Sequence, residues 1–218
     1  MPRLPLLAAA LLVCGCASSA STAQQPEPAP APAQTVRPLA NLAARRIIVT
    51  PAYGFEPGDP MGWAATIQRP RVLLRQLDSA IVAEFTLRGL RSTWYFAPDL
   101  EKAYQVNSTY AADPFNLAEN QLRGKLEIGK NYGEPLATQL RTMIAMQDGA
   151  RRIILPVNLH FEPADSGQGR AVIRLVLVDA RTTEFLWVAD VKSDPAPRFG
   201  PDVLKSLAFH FADLVVAP

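Results

Sequence analysis

Three apolar runs in the last third of the chain, Arg152 to Glu162, Arg170 to Asp179 and Glu184 to Ser193, follow one another with only turn residues between them. The turns are Pro163-Ala164-Asp165-Ser166-Gly167-Gln168-Gly169 and Ala180-Arg181-Thr182-Thr183. This spacing predicts an antiparallel meander, and a sheet of that kind must bury an apolar face against something else. The upstream sequence supplies the covering elements. Arg45-Arg46-Ile47-Ile48-Val49-Thr50-Pro51 is a β-branched run ending at a proline, the pattern of a strand buried on both faces. From Val72 to Leu90, Leu74, Leu77, Ile81 and Phe85 recur at helical spacing, and Gly89 suits a left-handed cap.

Thr93-Trp94-Tyr95-Phe96, within Ser92 to Ala97, predicts a second strand, parallel to the first through a right-handed crossover. Pro98-Asp99-Leu100-Glu101 has the character of a helix start with Asp99 as the cap. Leu136 to Gln147 predicts a helix ended by Gly149, and Asp202 to Val216 a last helix with Leu204, Leu207, Phe211 and Leu214 on one face. Ala52 to Arg71 predicts a loop with aromatic content, and Asn107 to Tyr132 is only weakly patterned. The expected fold is α/β (α+β), a mixed sheet of about five strands with helices packed on it, in the order β-α-β-α-α-β-β-β-α.

The chain has 218 residues, 49% apolar and 19% charged, which fits one globular domain over residues 41–218 and excludes disorder of the whole. Lys and Arg total 22 against 20 Asp and Glu, and the basic residues are dispersed apart from Arg45-Arg46 and Arg151-Arg152. Nucleic-acid binding needs a concentrated basic face, so no nucleic-acid partner is expected. Both pairs directly precede apolar runs and are read as solvated strand entrances.

Residues 1–15 combine a basic start with an apolar stretch from Leu4 to Val13, too short to span a bilayer. Val13-Cys14-Gly15-Cys16 resembles the bacterial lipobox, with an aliphatic residue three before the modified cysteine and a small one just before it. By that resemblance Cys16 carries the acyl chains, palmitate among them, that hold the protein to a membrane. Several chains, at about 0.8 kcal/mol per buried methylene, anchor durably. Ala17 rather than aspartate follows, and the resemblance then implies the periplasmic face of the outer membrane. An ordinary secretory signal cut after Ala20 is the alternative. Cys14 and Cys16 are the only cysteines, so no disulfide staples the domain. Residues 16–40 read as a Pro/Ala-rich disordered tether, whose twenty or so extended residues at about 3.1 Å each reach up to about 60 Å.

Leu177-Val178-Asp179-Ala180-Arg181-Thr182-Thr183-Glu184-Phe185-Leu186-Trp187 is similar to a strand, turn, strand segment of envelope α/β domains. Such domains occur in curli-secretion lipoproteins, penicillin-binding-protein activator lipoproteins and the amino-terminal domain of the Tol-system propeller protein. The resemblance implies assembly or regulation through protein contacts rather than catalysis. No pair of alternating ten-residue segments offers the hairpins a secretion pore needs, which disfavours a channel.

Motifs that carry chemistry are weak. Gly124-Lys125-Leu126-Glu127-Ile128-Gly129-Lys130 has phosphate-loop spacing, but Asn131 replaces the hydroxyl that would bind magnesium. His160 and His210 stand alone, with no cysteine beside them for zinc and no Gly-x-Ser-x-Gly turn for a hydrolase. Asp99 with Glu101, and Asp179 with Glu184, are carboxylate pairs already explained by a helix start and a turn. Asp165 to Gly169 resembles a calcium loop in composition only. No catalytic residue, metal or cofactor is expected. Tyr53, Phe55, Trp63, Tyr104 and Tyr110 fall off the core-facing stripes and are the candidate partner surface, either for another periplasmic protein or for self-association. Their structural alternative is to close the open edges of the core. The competing function is a periplasmic hydrolase with an unlocated carboxylate or serine site.

Overall fold

The computed structural model describes residues 37–56, 60–147 and 149–218. The signal segment, Cys16 and the tether as far as residue 36 lie outside the described residues. The fold takes up the chain earlier than residue 41. Leu39 is buried, its N–H donates to the Leu214 carbonyl at 3.0 Å, and a 3-10 turn follows at Ala40–Leu42. Leu39 and Ala40 therefore belong to the fold rather than to the tether.

Among the described residues six strands and four α-helices follow: β1 (Ile47–Val49), β2 (Tyr53–Phe55), α1 (Pro70–Leu87), β3 (Trp94–Tyr95), α2 (Ala97–Val106), α3 (Leu136–Ala145), β4 (Arg152–Pro163), β5 (Gly169–Asp179), β6 (Glu184–Lys192) and α4 (Pro201–Asp213). The sheet order is β3-β1-β4-β5-β6, with β2 also on β4. β1 is parallel to both β3 and β4, and β4, β5 and β6 form the expected antiparallel meander. The mixed α/β architecture and the order of its elements agree with the sequence reading except at β2. That strand is three residues long with Gly54 at φ 77°, too short and irregular to show a period of two.

Helices cover both faces. On one, Leu77, Ile81 and Phe85 of α1 and Leu204, Leu207 and Phe211 of α4 pack on Ile47, Val49, Ile154, Ile173 and Leu175. On the other, Leu100 of α2 and Leu136, Leu140 and Met143 of α3 pack on Ile48, Ile153, Leu155, Val176 and Val178. This double burial is why β1 reads as a continuous apolar run. Phe85 is the hub of the first face, with ring centroids of Trp94, Phe96 and Phe211 at 5.0, 5.5 and 5.0 Å. Arg88 ties α1 to the end of the chain. Its buried guanidinium pairs with Glu84 at 3.0 Å and donates to the carbonyls of Val216 and Phe209. Asp99 is not the cap of α2. Phe96 holds that position, and Asp99 lies three residues in, its carboxylate accepting the Phe96 N–H at 2.9 Å.

The long strand β4 changes faces midway. Val157 packs with the α3 side and Leu159 with the α1 side, although two residues apart in a regular strand point the same way. The register shift between Val157 and His160, with Asn158 at φ 65°, is the bulge that makes this possible. Beyond it, Phe161 meets Trp63 and Phe199 at 5.3 and 5.2 Å. Among the described residues no helix is long and apolar enough to cross a membrane.

Gly169 sits against the Trp63 ring, where an added Cβ would lie 2.7 and 2.9 Å from ring carbons. We expect Gly169→Ala to lower unfolding stability by about 1–3 kcal/mol through overpacking. Gly124→Ala, whose Cβ meets nothing within 4 Å, should leave stability unchanged or slightly raised. Urea unfolding of both variants measures the difference, and equal midpoints would contradict this packing.

Candidate functional site

The chain leaves β1 and breaks at Thr50-Pro51-Ala52 before resuming along β4 as β2, with Tyr53 opposite Val157 and Phe55 opposite Leu159. The helix after β1 lies on one face of the sheet and the helix after β3 on the other. Where neighbouring parallel strands send their connections to opposite faces, a crevice opens beyond their carboxyl ends, the general place for ligands in α/β sheets. Two contiguous hollows occupy that position here. One, of about 560 Å³, is lined by Pro51 to Gly54, by Arg71, Arg75 and Asp78 of α1, and by Asp113 to Asn116 and Arg123. The other, of about 370 Å³ and mainly apolar, lies between Val82 and Ala83 of α1 and Ala97 and Pro98 of α2, with Glu101 also in its lining. Arg75, Asp78 and Phe115 line both.

Asp78 forms the floor. It is 8% exposed, and its Oδ1 accepts the Ala52 N–H at 2.7 Å, satisfying a backbone donor freed by the strand break. Burial pushes its carboxyl from 3.8 up to about 7, against the lowering effects of that hydrogen bond and of Arg75. Glu119, in the 3-10 turn Glu119–Leu122, is 1% exposed, with no hydrogen-bond partner on Oε2. Burial drives its carboxyl well above the usual range; Arg123 opposes the shift and Asp78 adds to it. Burial thus raises both acids, of which Asp78 lines the cleft and Glu119 does not.

The cations above them are poised differently. The Arg75 guanidinium lies 4.9 Å from the Phe115 ring centroid and that of Arg123 lies 5.8 Å from Tyr53. Arg123 also rests on Gly54, where a Cβ would approach its Nη2 to 3.1 Å. No side-chain hydrogen bond or ion pair joins Arg71, Arg75 or Arg123 to another described residue. The nearby Asp113 carboxylate is engaged locally, accepting the Phe115 N–H at 2.9 Å.

The five aromatic residues singled out in the sequence are not one surface. Tyr53 lines the cleft. Trp63 is 5% exposed and belongs to the core, so it cannot present its ring to a partner. Phe55 is half-buried and stacks edge-on against Phe161 at 5.7 Å. Tyr104 is half-buried in a crevice beside Ala111 and Ala112, and Tyr110, 78% exposed, projects from the turn after α2. The two edge-closing residues, Trp63 and Phe55, follow the structural alternative.

The remaining motifs have structural roles. Residues 124–130 form irregular chain after the 3-10 turn, and no helix starts at Asn131, which bridges to Glu184. Asp179 and Glu184 face each other across the β5–β6 turn. Burial raises the Asp179 carboxyl, but the N–H groups of Thr182 and Arg181 and the Arg151 guanidinium outweigh it and hold it below 3.8. Its carboxylate accepts those N–H groups at 3.1 and 3.0 Å, which explains an aspartate before a polar turn. His160 Nδ1 sits 3.0 Å from the Asn158 carbonyl. His210 Nε2 and Ser206 Oγ both bond Asp194, at 3.0 and 2.7 Å. The aspartate is in the middle of that trio, whereas a serine relay requires the histidine there. Among the described residues no group of three or more His, Cys, Asp or Glu could hold a metal ion.

No family model matches the chain, and no curated protein matches it. Solved structures similar to it include a variant PelC dodecamer from Paraburkholderia phytofirmans, at 14% identity over 84% of this chain and 96% of that one, with a TM-score of 0.38. The NMR structure of E. coli LpoB is similar at 13% identity over 90% of this chain and 85% of that one, TM-score 0.35. The lipoprotein GNA1162 from Neisseria meningitidis is similar at 14% identity over 67% of this chain and 77% of that one, TM-score 0.28.

The buried acids give a pH dependence with a definite sign. Folded Asp78 keeps its proton to about pH 7, while the unfolded chain releases it near 3.8, so folding takes up a proton between those values. Stability should fall as pH rises from about 4 to about 7, by up to about 4 kcal/mol, and level off above. Glu119 acts in the same direction. Asp179, Asp194, Glu162 and Glu134, all lowered, act in the opposite direction, losing their contribution as the pH falls below the ordinary carboxylate range. Asp78→Asn retains an acceptor for Ala52 and removes the titration. Urea unfolding from pH 4.5 to 8 should show a smaller fall in the variant, and an unchanged fall would assign the titration elsewhere.

Proposed function

We propose that this chain is a non-catalytic envelope lipoprotein, acylated on Cys16 and held at the periplasmic face of the outer membrane. Its α/β domain binds a protein partner from the end of the tether. The observation that carries the binding role is the cleft beyond the carboxyl ends of β1 and β3, lined by arginine guanidiniums lying over aromatic rings. Arginine and aromatic side chains dominate the energetics of protein recognition, and Arg71, Arg75 and Arg123 keep their donors available. The anchoring role is supported by Val13-Cys14-Gly15-Cys16 and by Ala17 after it.

A hydrolase is the second reading, and one observation favours it. Asp78 lines the cleft and holds a proton to about pH 7, the property of a general acid. Glycan cleavage needs a second carboxylate across the bond; Asp113 lines one hollow and Glu101 the other, whereas Glu119 lines neither.

Metabolic labelling with a fatty-acid analogue, followed by membrane fractionation, tests the anchoring. The natural chain should carry label and sediment with outer membranes. Cys16→Ala should lose the label and become soluble. An unlabelled, soluble natural chain would contradict the proposal. Glycan hydrolysis by the natural chain that Asp78→Asn abolishes would establish the second reading instead.

A further inference from the structure

Resting on the binding role above, we infer that the cleft takes an extended acidic segment of a partner protein. One carboxylate is met by Arg75 and Arg123, and an apolar side chain close by in the same segment enters the hollow between α1 and α2.

Four features of the cleft define this occupant. The first is donor geometry. A guanidinium lying over an aromatic ring is held by its face, leaving its edge N–H groups to bind a carboxylate in bidentate fashion. Arg75 of α1 lies over Phe115 and Arg123 over Tyr53, and all four residues line the same hollow. Gly54 contributes, because its lack of a Cβ is what lets the Arg123 guanidinium come so close to the backbone.

The second feature is charge. Arg71, Arg75 and Arg123 line this hollow with Asp113 and with Asp78, which is buried and accepts the Ala52 N–H. The arginine-lined hollow is therefore a cationic pocket with a floor that does not compete for its donors. The third is shape. The adjoining hollow is mainly apolar, walled by Val82, Ala83, Ala97 and Pro98, and it is continuous with the cationic one through Phe115. A small anion fills only the first hollow, whereas an acidic residue with an apolar neighbour fills both. The fourth is polarity. Glu101, which lines the apolar hollow and not the cationic one, repels a second acid there and fixes which way the segment lies.

The test uses the full chain carrying Cys16→Ala, so that it remains unacylated, labelled with nitrogen-15. The probe is acetyl-Ala-Glu-Ala-Leu-Ala-amide, followed by NMR at the backbone amides and arginine Nε–H groups. Shifts should be confined to the cleft and include Arg75 and Arg123. Replacing the peptide's Glu by Gln, or introducing Arg75→Gln or Arg123→Gln, should weaken binding at least tenfold. Replacing its Leu by Ala should weaken it severalfold. Lys205→Gln, an equal charge change on α4, should have no effect, and the exposed positions of the arginines leave folding intact.

Equal binding of the Glu and Gln peptides would overturn the anion assignment while leaving the cleft as a binding site. Inorganic phosphate producing the same shifts, with no gain from leucine, would overturn the peptide assignment in favour of a small-anion site. A cleft silent to every probe would overturn the inference outright. Acylation of Cys16 would be untouched by any of these results, so the anchoring role fails or stands separately.

Discussion

The hydrogen bond from the Ala52 N–H to the buried carboxyl of Asp78 holds together the part of the molecule on which the cleft depends. A strand that stops and restarts along the same neighbour leaves backbone donors without ladder partners, and a buried donor without a partner costs about 1–3 kcal/mol. Asp78 supplies that partner from α1 and ties the helix to the break. Because the carboxyl is buried, its neutral form is favoured, and the cations around the cleft are not drawn into ion pairs with it. One side chain thus closes the backbone, positions α1 and leaves arginine donors facing solvent.

The rest of the architecture frames this arrangement. Double coverage by α1 and α4 on one face and α2 and α3 on the other fixes β1 at the centre of the parallel part of the sheet. The bulge at Asn158 turns β4 over just where β2 joins it, so the partner of the broken strand changes faces at the level of the break. Apart from that bulge in the β4–β5 ladder and a shift at Leu177/Val178, the antiparallel half, β4 to β6, is regular, and its turn is organised by Asp179. The molecule joins a conventional sheet to an irregular edge, and the cleft lies in the irregular part.

That division explains what the sequence made legible. Long periodic segments such as Leu74 to Phe85 and the three runs after Arg152 predicted their elements closely, because burial on one or both faces leaves a strong repeat. β2 left no such trace, since three residues around a glycine at positive φ have no period to read. The cleft was harder still. Of the five candidate partner residues only Tyr53 lines it, and Arg75, Asp78, Phe115 and Arg123 come from segments far apart in the chain. One signal was available: Asp78 follows Leu74 by four residues and precedes Phe85 by seven, so it stands on an otherwise apolar stripe, where a charge needs a reason. Trp63 misled because a large aromatic in a Gly- and Pro-rich stretch looks like surface, whereas Gly169 makes room for its ring in the core.

The central claim is that Asp78 remains protonated at the strand break. The carbon-13 shift of its carboxyl, followed against pH in the full chain carrying Cys16→Ala and assigned with Asp78→Asn, reports this directly. A midpoint near 7 is expected. A midpoint near the ordinary 3.8 would mean that a charged carboxylate occupies the floor of the cleft, which would contradict the account.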